Sequence, residues 1–190
     1  LCTDCHLEEP HQDQRLNAHY RTVACQTCHI PAMAIDAPTK MSWDWSLAGK
    51  TPAELREESP ELYESFLASW NPPQEMRRSP DFPGLSLERF GEYLNENHLY
   101  SKAKGTFTFA KNVEPEYAWY NGGSVRYLTG QKIDPEEPTI IAKPLGSVED
   151  PTAKIHPFKA HRGKQPYDLE NLTLLTVKTF GPGGYWTDFD

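Results

Sequence analysis

The stretch Cys25-Gln26-Thr27-Cys28-His29 decides how this chain folds, and it repeats a pattern already present at Cys2-Thr3-Asp4-Cys5-His6. Each stretch is a C-x-x-C-H motif, the sequence at which a c-type haem is attached. Two thiols on a tight turn reach the vinyl groups of one porphyrin and form thioethers, and the imidazole that follows binds the iron. The motifs therefore predict at least two covalent haem c groups, bound by Cys2, Cys5, His6, Cys25, Cys28 and His29.

The four cysteines also fit a zinc site in an interaction module. Their spacing, C-x2-C-x19-C-x2-C, lies within the range found for a zinc ion bound by four thiolates. Such a site needs no histidine after either cysteine pair. Because the chain has only 7 histidines among 190 residues, a histidine after both pairs favours haem.

Two histidines between the motifs are candidates for the second axial ligand of an iron. His11 lies five residues after His6, and five extended residues reach about 17 Å, barely enough to pass round a porphyrin edge. We therefore expect His11 to serve a neighbouring haem rather than the haem of His6. His19 has longer connections on both sides, so it could serve either haem or a third.

A further candidate lies near the end of the chain. His161 is followed by Arg162 and Lys164, whose charges would suit pairing with haem propionates. Met33 and Met41 are competing ligands, and a thioether would raise the haem potential. Since histidines are more plentiful, we expect bis-histidine haems of low potential. The predicted iron ligands are His6, His29, His11, His19 and His161.

The composition is unusual for a protein with a self-sufficient core. Only 37% of the residues are apolar, and the 17 prolines and 12 glycines interrupt regular structure. A large flat apolar cofactor could supply the missing core, with aromatic side chains packing against it. We therefore predict a multihaem cytochrome c with little regular secondary structure, some helices and short β-hairpins, and a core built around the haems.

The order of signals along the chain predicts three segments of one structural unit. Residues 1–50 form a dihaem-binding segment, and residues 51–104 form a helical insert. Thr51-Pro52-Ala53-Glu54 is typical of a capping box, and new helices are expected after Ser59 and Ser86. Breaks are expected at 71–73 and 79–81. Residues 105–190 form a β-hairpin and loop segment that packs on the haems.

Strand signals occupy this last segment. Residues 117–120 and 124–128 flank Asn121-Gly122-Gly123 and predict a β-hairpin. Shorter strands are expected at 106–109 and 139–142. A weakly alternating strand is expected at 172–180, and a turn at 181–184.

The net charge of −8 argues against nucleic acid and anionic membrane surfaces as partners. No stretch approaches the length of a membrane span, and no signal peptide is visible. Because haem is attached covalently outside the cytoplasm, we expect a periplasmic or extracellular protein whose export signal has been removed or lies outside this sequence. Leu1 directly precedes the first motif, so we expect a piece of a longer protein, or a subunit that leans on another.

Several stretches resemble one known group. This chain resembles the octahaem tetrathionate reductase family of multihaem cytochromes c. The resemblance spans most of the chain and is weakest in the helical insert. The stretches that carry this resemblance are Leu16-Asn17-Ala18-His19, Val23-Ala24 with residues 25–31, Pro38-Thr39-Lys40, Trp43-Asp44-Trp45-Ser46, residues 116–122, Pro157-Phe158-Lys159 and Gln165-Pro166-Tyr167-Asp168.

The resemblance implies a periplasmic protein of eight closely packed haems, mostly bis-histidine, with little regular structure. One haem of the family is catalytic, has a lysine in place of the distal histidine, and reduces tetrathionate, nitrite or hydroxylamine. By position, the family implies His6 and His29 as proximal ligands and His11, His19 and His161 as distal ligands, with His156 dispensable. This chain has two haem motifs rather than eight, and none that corresponds to the catalytic haem, so the activity does not carry over.

The sequence thus favours electron transfer, in which single electrons move through closely packed haems. The expected partners are other haems on the rest of the protein or on neighbouring subunits, and redox partner proteins, within an oligomer or multi-chain assembly. The alternative is a part of a multihaem reductase of tetrathionate, nitrite or hydroxylamine. The zinc-binding interaction module is the remote alternative.

Overall fold

The computed structural model describes residues 2–7, 9–70, 78, 86–178 and 181–184. The chain forms two compact units. The first unit consists of residues 1–39, 110–161 and 167–174, and the second of residues 40–109, 162–166 and 175–190. The first unit therefore combines stretches from the predicted segments 1–50 and 105–190.

Helices and strands are short, as predicted. The described helices are α1 (Gln14–His19), α2 (Cys25–His29), α3 (Pro52–Glu58), α4 (Pro60–Ser69) and α5 (Leu87–Glu96), with 3-10 turns at Cys2–Asp4 and Trp45–Leu47. Within the described part of the chain, no helix is long and apolar enough to cross a membrane. The described strands are β1 (Thr39–Asp44), β2 (Tyr100–Ser101), β3 (Gly105–Ala110), β4 (Glu116–Tyr120), β5 (Ser124–Arg126), β6 (Ala142–Pro144), β7 (Lys154–Phe158), β8 (Arg162–Lys164), β9 (Tyr167–Asp168) and β10 (Thr173–Leu174).

Local signals in the sequence set where the helices of the second unit begin. Thr51 and Glu54 form the predicted capping box, in which the Thr51 backbone N–H donates to the Glu54 carboxylate at 2.7 Å. Pro60 opens α4, and the Ser86 hydroxyl caps α5 by accepting from the Arg89 backbone N–H at 3.2 Å. All three predicted helix starts are confirmed. The breaks predicted at 71–73 and 79–81 lie outside the described residues.

Helices α3, α4 and α5 enclose a core made entirely of side chains. The rings of Phe66 and Phe90 lie 5.5 Å apart, and each residue is at most 1% exposed. Each fully buried aromatic or aliphatic side chain stabilises the fold by about 1.5–3 kcal/mol. The buried cluster consists of Leu55, Leu62, Phe66, Phe90 and Leu94. The second unit therefore has an apolar core of its own side chains.

A four-stranded sheet, in the order β2-β3-β1-β8, also belongs to the second unit. Strand β3 confirms the strand predicted at 106–109. Strands β1 and β8 run parallel, with Trp43 opposite Gly163. A Cβ at Gly163 would lie 2.1 Å from the Trp43 ring, so only glycine lets the indole lie across this strand.

In the first unit, the predicted hairpin of 117–120 with 124–128 is wrong. Strand β4 pairs antiparallel with β7, and β5 pairs antiparallel with β6. Asn121-Gly122-Gly123 joins β4 to β5 without reversing the chain. The Asn121 N–H donates to the Leu145 carbonyl and the Gly123 carbonyl accepts from the Leu145 N–H, so the antiparallel pairing continues past this bend. The chain reverses farther on, between β5 and β6. A local turn signal could not reveal this register.

The remaining strand predictions are partly correct. Only residue 142 of the predicted strand 139–142 is extended, at the start of β6. Of the predicted strand 172–180, only Thr173–Leu174 forms a strand, which pairs with β9; residues 179–180 lie outside the described residues. The predicted turn at 181–184 is confirmed by a hydrogen bond from the Gly184 N–H to the Gly181 carbonyl at 2.8 Å.

The first unit buries almost nothing of its own. Its fully buried described residues are small, namely Asn17, Ala24, Pro115 and Ala153. Of the fifteen large hydrophobic residues that are exposed in the described part of the chain, thirteen lie in this unit, and only Leu67 and Leu175 lie in the other. The sequence predicts a core built around haems. The first unit is the part of the chain whose described apolar side chains are left exposed for such a core.

A glycine at the start of β3 gives a test of the sheet. Gly105 has a φ of +73°, and a Cβ there would lie 1.9 Å from the Asp44 carbonyl oxygen. We expect Gly105→Ala to lower the free energy of unfolding by about 3 kcal/mol or more, because backbone rather than a movable side chain blocks the methyl group.

Gly130→Ala is the matched control, measured by the same urea unfolding followed by far-UV circular dichroism. Gly130 also has a positive φ of +88°, but no atom lies within 4 Å of the position that a Cβ would take. The free energy of unfolding of Gly130→Ala should fall by only about 1–2 kcal/mol, which is the cost of holding alanine in the left-handed backbone region. Equal losses in the two variants would contradict the steric explanation.

Candidate functional site

The second C-x-x-C-H motif folds as the short helix α2. In a helix, residues three and four apart lie on the same face, so Cys25, Cys28 and His29 share one face. The first turn is capped by Ala24, which is 5% exposed. The motif therefore presents two thiols and an imidazole to one side.

The first motif adopts a similar turn. The Cys5 and His6 backbone N–H groups both donate to the Cys2 carbonyl, at 3.2 Å and 2.9 Å. Residues three apart eclipse one another in a 3-10 turn, so Cys2 and Cys5 lie on the same side. None of the four cysteines forms a disulfide, and only Cys25 is partly buried.

Strand β7 holds α2 in place through the backbone of Ile155. The Ile155 carbonyl accepts from the Ala24 N–H at 3.0 Å and from the Thr27 hydroxyl at 2.6 Å. The Ile155 N–H donates to the Thr22 carbonyl at 2.8 Å. These bonds surround the start of α2. A residue that lies 128 positions after Thr27 in the sequence therefore fixes the place of the second haem motif.

The same strand also contacts the end of α1. The Lys154 ammonium lies 3.6 Å from the centre of the Tyr20 ring, and Tyr20 directly follows α1. A cation over an aromatic face is attracted by about 0.5–2 kcal/mol. Strand β7 therefore contacts the segments on both sides of residues 21–24.

The structure brings together two of the predicted iron ligands, His11 and His29. Their ring centres lie 6.2 Å apart, and their planes differ by 22°. A metal–nitrogen bond of about 2 Å, with the ring centre about 1.1 Å beyond the nitrogen, separates two imidazoles on opposite sides of one metal by about 6 Å. The two near-parallel, stacked rings therefore match that separation between ring centres.

The backbone of His11 is held by a residue that the sequence reasoning missed. The Asn17 side-chain amide donates to the His11 carbonyl at 2.8 Å and accepts from the His11 N–H at 3.0 Å. Asp13 caps α1 by accepting from the Arg15 N–H, which places Asn17 in that helix. The cap was a visible signal for α1, but nothing in the sequence showed what Asn17 binds.

The other three predicted ligands are exposed, as are His11 and His29. His6 ends the first motif, His19 ends α1, and His161 follows β7. Among the described histidines, neither His6 nor His19 makes a ring contact with another. Lys164, predicted to lie beside a propionate, contacts the Asp44 carboxylate at 3.2 Å.

The four cysteines do not form a zinc site in this structure. No three histidine, cysteine, aspartate or glutamate side chains among the described residues, which include all four cysteines, are grouped so that they could hold a metal ion. A four-thiolate site would bring the cysteine pairs together. The described cysteines are not grouped in that way.

His156 packs against aromatic side chains. Its ring lies edge-on to Tyr120, with centres 5.3 Å apart, and tilted against Phe158. Burial, and then the positive charge of Lys154, lower the pKa of His156. A lowered pKa favours the uncharged form of the ring, which suits packing against Tyr120 and Phe158.

Comparisons with known proteins give two matches. The family model described as bacterial cytochrome c matches residues 40–190. The crystal structure of octaheme cytochrome c from Shewanella oneidensis is 41% identical and has a TM-score of 0.71, and the match covers 100% of this chain and 35% of that one. The chain thus spans about a third of the length of that structure. No curated protein matches.

His98 offers a test that separates structural histidines from ligands. It has a φ of +55° just after α5, where the Leu99 N–H donates to the Leu94 carbonyl at 2.9 Å. Glycine is favoured at this position, so His98→Gly should raise the free energy of unfolding by about 0.5–1 kcal/mol. The absorption spectrum of the haem-loaded protein should not change. A changed spectrum would make His98 a ligand.

Proposed function

Because this chain belongs to the bacterial cytochrome c family, we propose that it is a two-haem segment of a multihaem cytochrome that relays single electrons. The family and the octaheme structure confirm three predictions: a multihaem c-type cytochrome, a fold with little regular structure, and covalently bound haem c. The haem supplies a one-electron iron couple, and the protein sets its potential through ligands, burial and charge.

We assign one haem to each motif. Cys2 and Cys5 would hold the first haem with His6 on its iron, and Cys25 and Cys28 would hold the second with His29. Within each motif the two cysteines lie on the same side of the turn. This supports the assignment, because both thioether bonds and the proximal histidine must reach the same porphyrin.

His11 would be the second axial ligand of the haem bound by α2. The observation that carries this proposal is the 6.2 Å separation of the His11 and His29 rings. It agrees with the reach argument, by which His11 serves a neighbouring haem rather than that of His6. His19 and His161 are proposed as ligands of the first haem or of haems elsewhere in the assembly.

The exposed apolar side chains of the first unit support a haem core. Thirteen large hydrophobic residues are exposed there, while the buried residues are small. Removing apolar surface from water gains about 25 cal/mol per Å². A porphyrin would cover part of this surface and take the place of the missing side-chain core.

Two axial imidazoles leave an iron no open position, which favours electron relay over catalysis. Other haems of a larger assembly and redox proteins would be the partners. Since c-type haem is attached outside the cytoplasm, we propose a periplasmic or extracellular location. Reduction of tetrathionate, nitrite or hydroxylamine would instead require an iron with an exchangeable ligand.

The haem-loaded protein tests this proposal directly. Its mass should exceed that of the peptide by two increments of about six hundred daltons each. Both haems should be six-coordinate and low-spin, and His11→Ala should make one of the two, when reduced, bind carbon monoxide without waiting for a ligand to leave. His156→Phe is the control, and it should bind carbon monoxide no faster than the unaltered protein. An unmodified mass would contradict the haem assignment, and an open haem in the unaltered protein would favour the reductase.

The second unit should fold without haem. Replacing all four cysteines with serine removes the thioether bonds but leaves the cluster around Phe66 and Phe90 intact. Hydrogen exchange of the full-length variant should show protection retained in α4 and α5 and lost in α1 and α2. Loss of protection throughout would contradict an independent core.

A further inference from the structure

Asn17 is the one fully buried polar or charged side chain among the described residues of the first unit, with 6% exposure. A buried amide destabilises a fold unless its donor and acceptor are both paired. Both are paired here with one residue, through the backbone N–H and carbonyl of His11. The two bonds hold the His11 backbone, from which the imidazole extends, against α1.

Among the described residues, both hydrogen bonds to the His11 backbone come from the Asn17 side chain. Residues 9–13 belong to no helix or strand, whereas Asn17 lies in α1. The clamp, meaning the two hydrogen bonds between Asn17 and His11, therefore ties an irregular stretch to a helix. On the opposite side, His29 is held by the bonds between α2 and Ile155.

We propose that Asn17 is a positioning residue that keeps His11 in place as an axial ligand. This rests on the proposed ligation of the second haem by His11. Without the clamp, His11 must lose more conformational freedom each time it binds iron. Loss of two hydrogen bonds should increase its dissociation from the iron by about tenfold to a hundredfold.

The test is the rate at which carbon monoxide binds to the reduced, haem-loaded protein, since His11 must leave before carbon monoxide can enter. Asn17→Leu removes both hydrogen bonds, and Asn17→Asp retains only the acceptor. Both should raise the rate at one haem, by about tenfold to a hundredfold for Asn17→Leu and by less for Asn17→Asp. If Asn17→Leu does not fold, Asn17→Asp alone decides the test.

Asn121→Leu is the matched control. Its amide also accepts from a backbone N–H, that of Gly123 at 3.0 Å, and donates to Asp150 at 2.8 Å. It contacts no proposed ligand, so the rate should stay unchanged. An equal rise in this control would show general loosening and would overturn the role of Asn17.

His11→Ala separates the two ways in which the proposal can fail. If it opens one haem while the Asn17 variants bind at the unaltered rate, Asn17 has no positioning role and the ligation by His11 stands. If His11→Ala leaves carbon monoxide binding unchanged, His11 is not a ligand, and the role of Asn17 falls with it.

Discussion

The described residues of the first unit form no core of large buried side chains, and this constraint governs the rest of its structure. Its buried residues are as small as Ala24 and Ala153, so packing alone cannot offset the entropy of ordering the chain. Backbone hydrogen bonds from β7 hold the start of α2, and the Asn17 clamp holds the His11 backbone. A covalent cofactor suits such a unit, because the porphyrin brings its own apolar surface.

The second unit is stabilised by buried side chains instead. Phe66, Phe90 and their neighbours form a buried cluster. The helices around it begin at the caps Thr51 and Ser86 and at Pro60. Those starts could be predicted because a cap bonds a residue three positions on and because proline favours the first helical position. The helices could therefore be placed from the sequence without knowing what surrounds them.

Long-range pairing could not be predicted in this way. Asn121-Gly122-Gly123 carries a good local turn signal, yet β4 pairs with β7, more than thirty residues farther on. The same limit explains why Asn17 was missed. Its partners are the backbone N–H and carbonyl of His11, and nearly every residue type has both groups, so the sequence does not indicate the pairing. The haem motifs were readable because their chemistry fixes a short spacing.

The contact between His11 and His29 could be predicted from the sequence only in part. Chain reach indicated which haem His11 could not easily serve, but the choice among neighbouring haems depended on the fold. Under the proposed ligation, helix α2 and the clamp on α1 would make that choice by holding the His29 and His11 backbones with the two rings 6.2 Å apart. A ligand pair set by the polypeptide before iron binds loses less entropy on coordination, and such preorganisation favours a six-coordinate iron that exchanges electrons without exchanging ligands.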